Sequence, residues 1–296
     1  MNIGLMYVVL AGLTWTAIGI AFSKVANKEI DSVVFITVAA FFTMIFSVPM
    51  VRWQLVSSEP VTNLPPLIIL MLISGAFNML ASYVMLIAMG KGHNGYTWAI
   101  GQSAMLIPFL MSIVIWRDAV SVSGIIGMTL MLVMVITLGA CKSRGEGDKK
   151  QSYSRLWLIL SLIVFLLYGI QQTINTIPTR WYDWNDTLNL RVPLSFTGGF
   201  IFQLILLLFS KRKITKPSVI RGFFAAILIV VGGVFIFLAI DNLNDYGLLP
   251  IVYPLAISIS IMGVSLYSVA YLKENFKFLQ IVGLLVGFIG IVLVSI

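Results

Sequence analysis

Ten long apolar runs, separated by short charged or proline-bearing breaks, constrain this chain more than any other feature. A helix crossing about 30 Å of hydrocarbon needs roughly 20 consecutive apolar residues. The runs predict helices over 3–23, 31–51, 67–89, 95–116, 120–140, 156–176, 188–209, 222–240, 247–269 and 277–295. Breaks such as 52–66, with Pro60, Pro65 and Pro66, leave no stretch long enough for a separate soluble domain. Charge agrees with hydropathy. Only 10% of the residues are charged and 59% are hydrophobic, whereas a soluble domain carries about a quarter charged. The expected class is an all-α integral membrane protein, multi-pass, in a cell membrane.

A net charge of +8 would suggest nucleic acid in a soluble protein. In a membrane protein, Lys and Arg instead collect in cytoplasmic loops, so no nucleic-acid partner is expected. Fifteen of the 19 basic residues fall in breaks after odd-numbered helices, leaving Arg52, Arg117, Arg180 and Arg191 opposite. That asymmetry puts both termini outside the cytoplasm. The start of the chain lacks a positive region before its first apolar run, so it reads as a retained helix and not a cleaved signal. Cys141 is the single cysteine and cannot form an internal disulfide. Trp181, Tyr182 and Trp184 cluster at one break, as headgroup-anchoring aromatics do.

A repeat crosses the longest polar break. Trp116-Arg117-Asp118 leads to Gly127, and Leu272-Lys273-Glu274 leads to Gly283 at the same spacing. With an offset of 156, Ile125, Ile126 and Gly127 meet Ile281, Val282 and Gly283. The first helices align more loosely, Leu10 with Leu160 and Gly19 with Gly169. Residues 1–140 and 156–296 thus read as two five-helix repeats joined by a polar linker at 141–155. Five is odd, so the second copy enters the membrane inverted. Inverted repeats are common in secondary transporters, with the solute site near the midplane between them. Two similar halves that exchange conformations open alternately to either side.

These residues make the chain similar to the drug/metabolite transporter superfamily, in particular its EamA-type ten-helix members. The likeness covers essentially the whole chain. It is carried by apolar helix 4, by the Arg117-Asp118 turn before Gly124 and Gly127, and by Lys273-Glu274 before Gly283, Gly287 and Gly290. Gly95, Gln102, Ser103 and Pro108 also resemble the rhamnose and glucose-uptake branches. The resemblance implies a central cavity lined by helices 1, 3, 4, 6, 8 and 9, with helices 5 and 10 peripheral. Many relatives have both termini in the cytoplasm; the loop charge of this chain points the other way.

Polar groups within hydrocarbon face the bundle interior or a wet cavity. Asn78 and Ser82 are four apart on helix 3, Trp98 and Gln102 on helix 4, and Gln171 and Asn175 on helix 6, with Tyr168 one turn earlier. Trp15 on helix 1 and Tyr253 on helix 9 add aromatic faces, and Ser258 and Ser260 follow Tyr253. Amides that both donate and accept, beside aromatic rings, suit a small polar organic solute such as a sugar or an amino acid. The same groups also suit plain interhelical hydrogen bonds, each worth about 0.6 kcal/mol. Pro108, Pro193 and Pro254 lie within helices and remove backbone hydrogen bonds, so kinks are expected there.

No Asp or Glu falls in the middle of a span. His93, Asp31, Asp241, Asp245 and Arg191 sit at span ends, and His93 reads as a loop or interfacial residue. Proton coupling, counter-solute exchange and facilitated diffusion all fit. There is no H-E-x-x-H, G-x-S-x-G or Walker lysine loop, so no metal, no cofactor and no enzymatic activity are expected. The expected function is secondary transport of a small polar metabolite by alternating access, as a monomer or weak homodimer in the lipid bilayer. A non-transporting membrane subunit or sensor, or a multidrug exporter of the same superfamily, are the alternatives.

Overall fold

A computed structural model describes residues 2–26, 30–51, 64–117, 121–139, 155–180, 184–244, 249–274 and 276–294, and their regular structure is helical throughout. The helices are α1 (Asn2–Ala26), α2 (Ser32–Ser47), α3 (Leu64–Lys91), α4 (Asn94–Gln102), α5 (Leu106–Val114) and α6 (Val122–Gly139). After the polar break come α7 (Arg155–Thr176), α8 (Trp184–Ser210), α9 (Lys216–Asn244), α10 (Leu249–Ala270) and α11 (Phe278–Val294). Six of them contain stretches long and apolar enough to cross a bilayer: α1, α3, α7, α8, α9 and α10. The apolar helices α2, α6 and α11 are shorter. Residues 141–154 of the expected linker, and with them Cys141, lie outside the described residues, as do Asp118, Trp181, Tyr182 and Asp245.

The run expected as one helix over 95–116 is two, with a 3-10 turn at Ser103–Met105 between α4 and α5. Pro108 has no N–H for the carbonyl of Ala104 four residues back, and its ring crowds that carbonyl, so the α-helical ladder breaks just before it. Pro193 and Pro254, in contrast, lie within the continuous helices α8 and α10. Arg191, expected at a helix start, stands two turns inside α8.

Local chemistry sets several helix starts. The Asp31 carboxylate accepts from the N–H groups of Val33 at 3.0 Å and Val34 at 3.1 Å, capping α2. Ser121 Oγ accepts from Gly124 N at 3.1 Å ahead of α6. At α11 the Gln280 side chain reaches back to the N–H of Lys277 at 2.7 Å, the return arm of a capping box. Three described residues outside glycine, Arg117, Lys211 and Lys273, take an unusual backbone. Arg117 and Lys273 have φ of 56° and 55°, the left-handed region that side chains seldom enter.

The side-chain contacts give the direction of each helix. Thr37 bonds the Gln203 carbonyl and Phe41 meets Phe200, so α2 and α8 run antiparallel. Ser82 meets Tyr168 and Ser74 meets Asn175, so α3 and α7 are antiparallel as well. Helix α1 lies along α9 and α10, α7 lies along α3 and α4, and α3 and α2 pack on α8 and α9 respectively. Helices α6 and α11 pair mainly with each other. A Cβ on Gly290 would come within 2.7 Å of the Gly127 carbonyl and 3.0 Å of Met131 N, so glycine permits that close approach.

Polarity runs inside out relative to a water-soluble bundle. Large apolar side chains such as Leu208, Leu266 and Leu285 are exposed on the outer faces, while Thr37, Thr43, Ser74 and Ser161 are buried. Most of these buried hydroxyls donate to a carbonyl one turn back, as Thr37 does to Val33 at 2.7 Å and Thr43 to Ala39 at 2.7 Å. Hydroxyls satisfied in this way fit a medium that offers no hydrogen bonds.

Candidate functional site

The α3–α7 seam holds the densest set of neutral polar side chains among the described residues. Ser74, Asn78 and Ser82 follow one another at four-residue steps and share a face of α3. Across from them, Ser74 Oγ donates to Asn175 Oδ1 at 2.6 Å, and the Gln171 amide lies 3.5 Å from the same hydroxyl. Two turns further along, Ser82 Oγ and Tyr168 Oη share a hydrogen bond at 3.0 Å, and Ser82 also donates to the Asn78 carbonyl at 2.9 Å. Asn78, Tyr168, Gln171 and Asn175 are half-buried, while Ser74 and Ser82 are buried. The amides therefore keep surface available beside an anchored row of hydroxyls.

A second group gathers where α1, α4 and α10 meet. Trp15 stacks on Tyr253 with ring centres 6.4 Å apart. Trp98 donates through Nε1 to Ser260 Oγ at 3.0 Å and sits edge-on to Phe22 at 6.3 Å. Tyr253 keeps 46% of its surface exposed, whereas Trp98 keeps 4%. In this conformation Trp98 belongs to the closed core and Tyr253 to an open face. Gln102 is half-buried at the end of α4, next to Gly101, where a Cβ would meet Val164 at 3.1 Å and Tyr168 at 3.8 Å. Helix α4 thus comes close to the α3–α7 seam on one side and to α10 on the other.

The charged centre lies at the start of α4. Glu274, in the turn between α10 and α11, accepts from Asn94 N at 2.9 Å, Asn94 Nδ2 at 2.7 Å and Gly95 N at 3.4 Å. The two Asn94 donors meet Oε1, while Oε2, which takes the Gly95 bond, also pairs with His93 Nδ1. This carboxylate caps a helix 180 residues earlier in the chain, where the N-terminal end favours negative charge. Burial pushes the Glu274 carboxyl up, but the hydrogen bond and charge of His93 and the two Asn94 donors outweigh it and hold the group below its ordinary range. His93, expected in a loop or at an interface, is 1% exposed and stacks on Tyr96 at 3.8 Å. Its burial comes from the α10–α11 turn folding over it, a contact that local sequence does not carry. Tyr96 in turn donates to Gln280 Oε1 at 2.5 Å.

A cleft of about 510 Å3 lies between α10 and α11, reaching Met134 on α6. Its walls are mostly apolar, including Ile261, Leu266, Leu285 and Phe288, with Ser258, Ser265 and Glu274 as the polar exceptions. It lies away from the amide-bearing seam.

Seven of the nine residues expected at a solute site thus fall into two adjoining groups. Ser82, Tyr168, Gln171 and Asn175 join across α3 and α7, and Trp15, Trp98 and Tyr253 across α1, α4 and α10. Asn78 contributes its carbonyl to the first group, and Gln102 stands between the two. Sequence reasoning missed Ser74, although its place four residues before Asn78 was the signal. It also missed the Trp157 Nε1 bond to Thr97 Oγ1 at 2.7 Å and the joining of His93 to Glu274.

No protein-family model matches this chain, and no curated protein matches it. Its fold does have solved counterparts. One, described as the crystal structure of a protein, superposes with a TM-score of 0.57 at 12% identity, over 97% of this chain and 95% of that one. At that identity the likeness is one of fold. The helices place the chain among all-helical proteins with several segments fit to span a membrane.

Proposed function

We propose that the chain is a ten-span secondary carrier of the drug/metabolite type, built of two inverted five-helix halves and moving a small polar solute by alternating access. One observation carries this reading. With α4 and α5 counted as one span, exchanging every helix with the one five later maps the main packing pairs onto each other. The pair α1–α10 becomes α7–α4, α1–α9 becomes α7–α3, and α2–α9 becomes α8–α3. The pairs α2–α8, α4–α10 and α6–α11 map onto themselves. The similar backbone angles at Arg117 and Lys273, which are 156 residues apart, support the same exchange. A pair of interchangeable halves has two related ways to pack, one open to each side.

The solute site in this proposal lies between the α3–α7 amides and the Trp15–Tyr253 stack. Gln171 and Asn175 supply donors and acceptors, and the rings supply flat apolar faces, a combination suited to a sugar or an amino acid. The charge count places the α3–α4 and α10–α11 turns, and so Glu274, at the cytoplasmic end, with both termini opposite. A reporter fused to the C-terminus tests that orientation, and a cytoplasmic signal contradicts it. The carrier reading is tested by uptake into vesicles containing the purified protein, over a panel of sugars, amino acids and nucleosides, with and without a pH gradient. At least one solute should show saturable uptake that falls in both Gln102→Ala and Gln171→Ala while the proteins still fold. Uptake unchanged in both variants removes the site assignment, and no uptake of any solute removes the carrier reading.

A further inference from the structure

We infer that His93 is a proton-binding site with Glu274 as its fixed counter-charge, and that the bound proton holds this end of the bundle closed. The inference deepens the carrier reading, because opening at this end is one half of alternating access. It starts from what ties α4 to the turn before α11. Glu274 takes three hydrogen bonds from Asn94 and Gly95, and none of them changes while the carboxylate stays ionised. The fourth tie, to His93 Nδ1, is an ion pair when the imidazole carries a proton and weaker when it does not.

The surroundings decide which partner takes the proton. Backbone N–H groups and the positive end of α4 favour the ionised carboxylate. The imidazole stacks on the Tyr96 ring, 3.8 Å away and nearly parallel at 13°, and the tilted Phe276 ring completes a three-ring cluster, 4.8 Å from the imidazole and 4.6 Å from Tyr96. Aromatic faces attract a cation, and histidine is the side chain that changes charge nearest neutral pH. Other ionisable groups on the elements packed around the pair are Tyr83 and Lys91 on α3, Arg155 and Tyr168 on α7, Tyr96 on α4, Tyr253, Tyr267 and Tyr271 on or just after α10, and Lys273 and Lys277 in the turn. Tyr267 is close enough to feel the Glu274 charge. Among these described residues Glu274 is the one carboxylate, so the proton has one acidic partner to strengthen.

Moving α4 away from the α10–α11 turn breaks all four ties together. Loss is greatest when the imidazole is charged, so the closed arrangement binds the proton more tightly and acid favours it. With the offset of 156, His93 corresponds to Leu249, and His93 is the only histidine in the chain. One half of the bundle therefore carries a histidine at this turn and the other does not.

The test uses the full chain with Cys141→Ser and Ser268→Cys, reconstituted in vesicles and labelled with N-ethylmaleimide. Ser268 is fully buried, its carbonyl accepts from Glu274 N at 3.0 Å, and its Oγ lies 3.1 Å from where a Cβ on Gly95 would sit. A cysteine there is reached only when α4 and α10 part. Labelling rates are divided by those of the same protein carrying His93→Gln, which cancels the thiol's own response to pH. The ratio should fall about fivefold or more as pH is lowered from about 8 to 5, and a flat ratio overturns the proposal. Should His93→Gln not fold, the single histidine signal of the unsubstituted chain, labelled with nitrogen-15, should change over the same interval as the labelling rate. A signal constant through that interval also overturns it. No solute is needed, so this failure leaves uptake results standing, while absent uptake contradicts the carrier reading independently.

Discussion

Two seams of this bundle join polar groups by opposite means. The α3–α7 seam is neutral, built from hydroxyls and amides such as Ser74, Ser82, Tyr168 and Asn175, with four of its six groups still partly accessible. The seam between α4 and the α10–α11 turn is charged, closed and centred on one carboxylate with four donors. A neutral seam can exchange its hydrogen bonds for those of a solute at little cost, because each bond contributes under about 1 kcal/mol. A charged, buried seam either holds or opens as a unit. The first suits recognition and the second suits gating.

The largest effect should come from breaking the charged seam. Glu274→Ala removes the cap of α4 and leaves His93 without its counter-charge. Losing one partner of a buried pair costs about 3–5 kcal/mol, so thermal unfolding in detergent should shift clearly downward. A shift no larger than that of a surface substitution would show that the seam holds little. Acid should reproduce part of this. The Glu274 carboxyl is held below its ordinary range when folded, so its stabilisation is complete above the unfolded carboxylate value of about 4.3 and is lost as pH falls through the lower folded value. Unfolding followed below about pH 4 should therefore show a loss of stability that Glu274→Gln lacks.

Changes in the neutral seam should be milder for stability and stronger for uptake. Asn175→Ala removes the 2.6 Å acceptor of the buried Ser74 hydroxyl and leaves it the Gln171 carbonyl at 3.5 Å, at about 1 kcal/mol, and should reduce solute uptake more than it reduces the amount of folded protein. The smallest change is Tyr168→Phe, which removes the shared bond to Ser82 and should cost about 0.6 kcal/mol. If Tyr168→Phe matched Glu274→Ala in unfolding experiments, the contrast between the two seams would disappear.

The helices were legible in the sequence because each is an apolar run with a charged end, and hydropathy needs no partner to be read. Pro108 marked a kink in kind, though the full break into α4 and α5 at Ser103–Met105 was not legible from the proline alone. The amide faces were legible for a similar reason, since Gln171 and Asn175 share a helix face by spacing alone. Ser74 was visible by the same spacing, four residues before Asn78, and was overlooked because a lone serine on an apolar helix usually bonds its own backbone. The pairing of His93 with Glu274 was not legible. Its partners are 181 positions apart in the chain, and only the packing of α4 against α10 brings them together. Sequence spacing reports neighbours on one helix, whereas this pair is made between helices.

The central claim is that the two ends of the bundle open in turn. In a Cys141→Ser background, spin labels at exposed positions Lys91 and Tyr271 read the end that carries Glu274, and labels at exposed Val114 and Asn242 read the other. Distances are measured by electron paramagnetic resonance in vesicles, with and without the solute found to be taken up. Alternating access predicts opposite changes, one pair lengthening as the other shortens. Both pairs lengthening together, or neither moving while uptake proceeds, would contradict it.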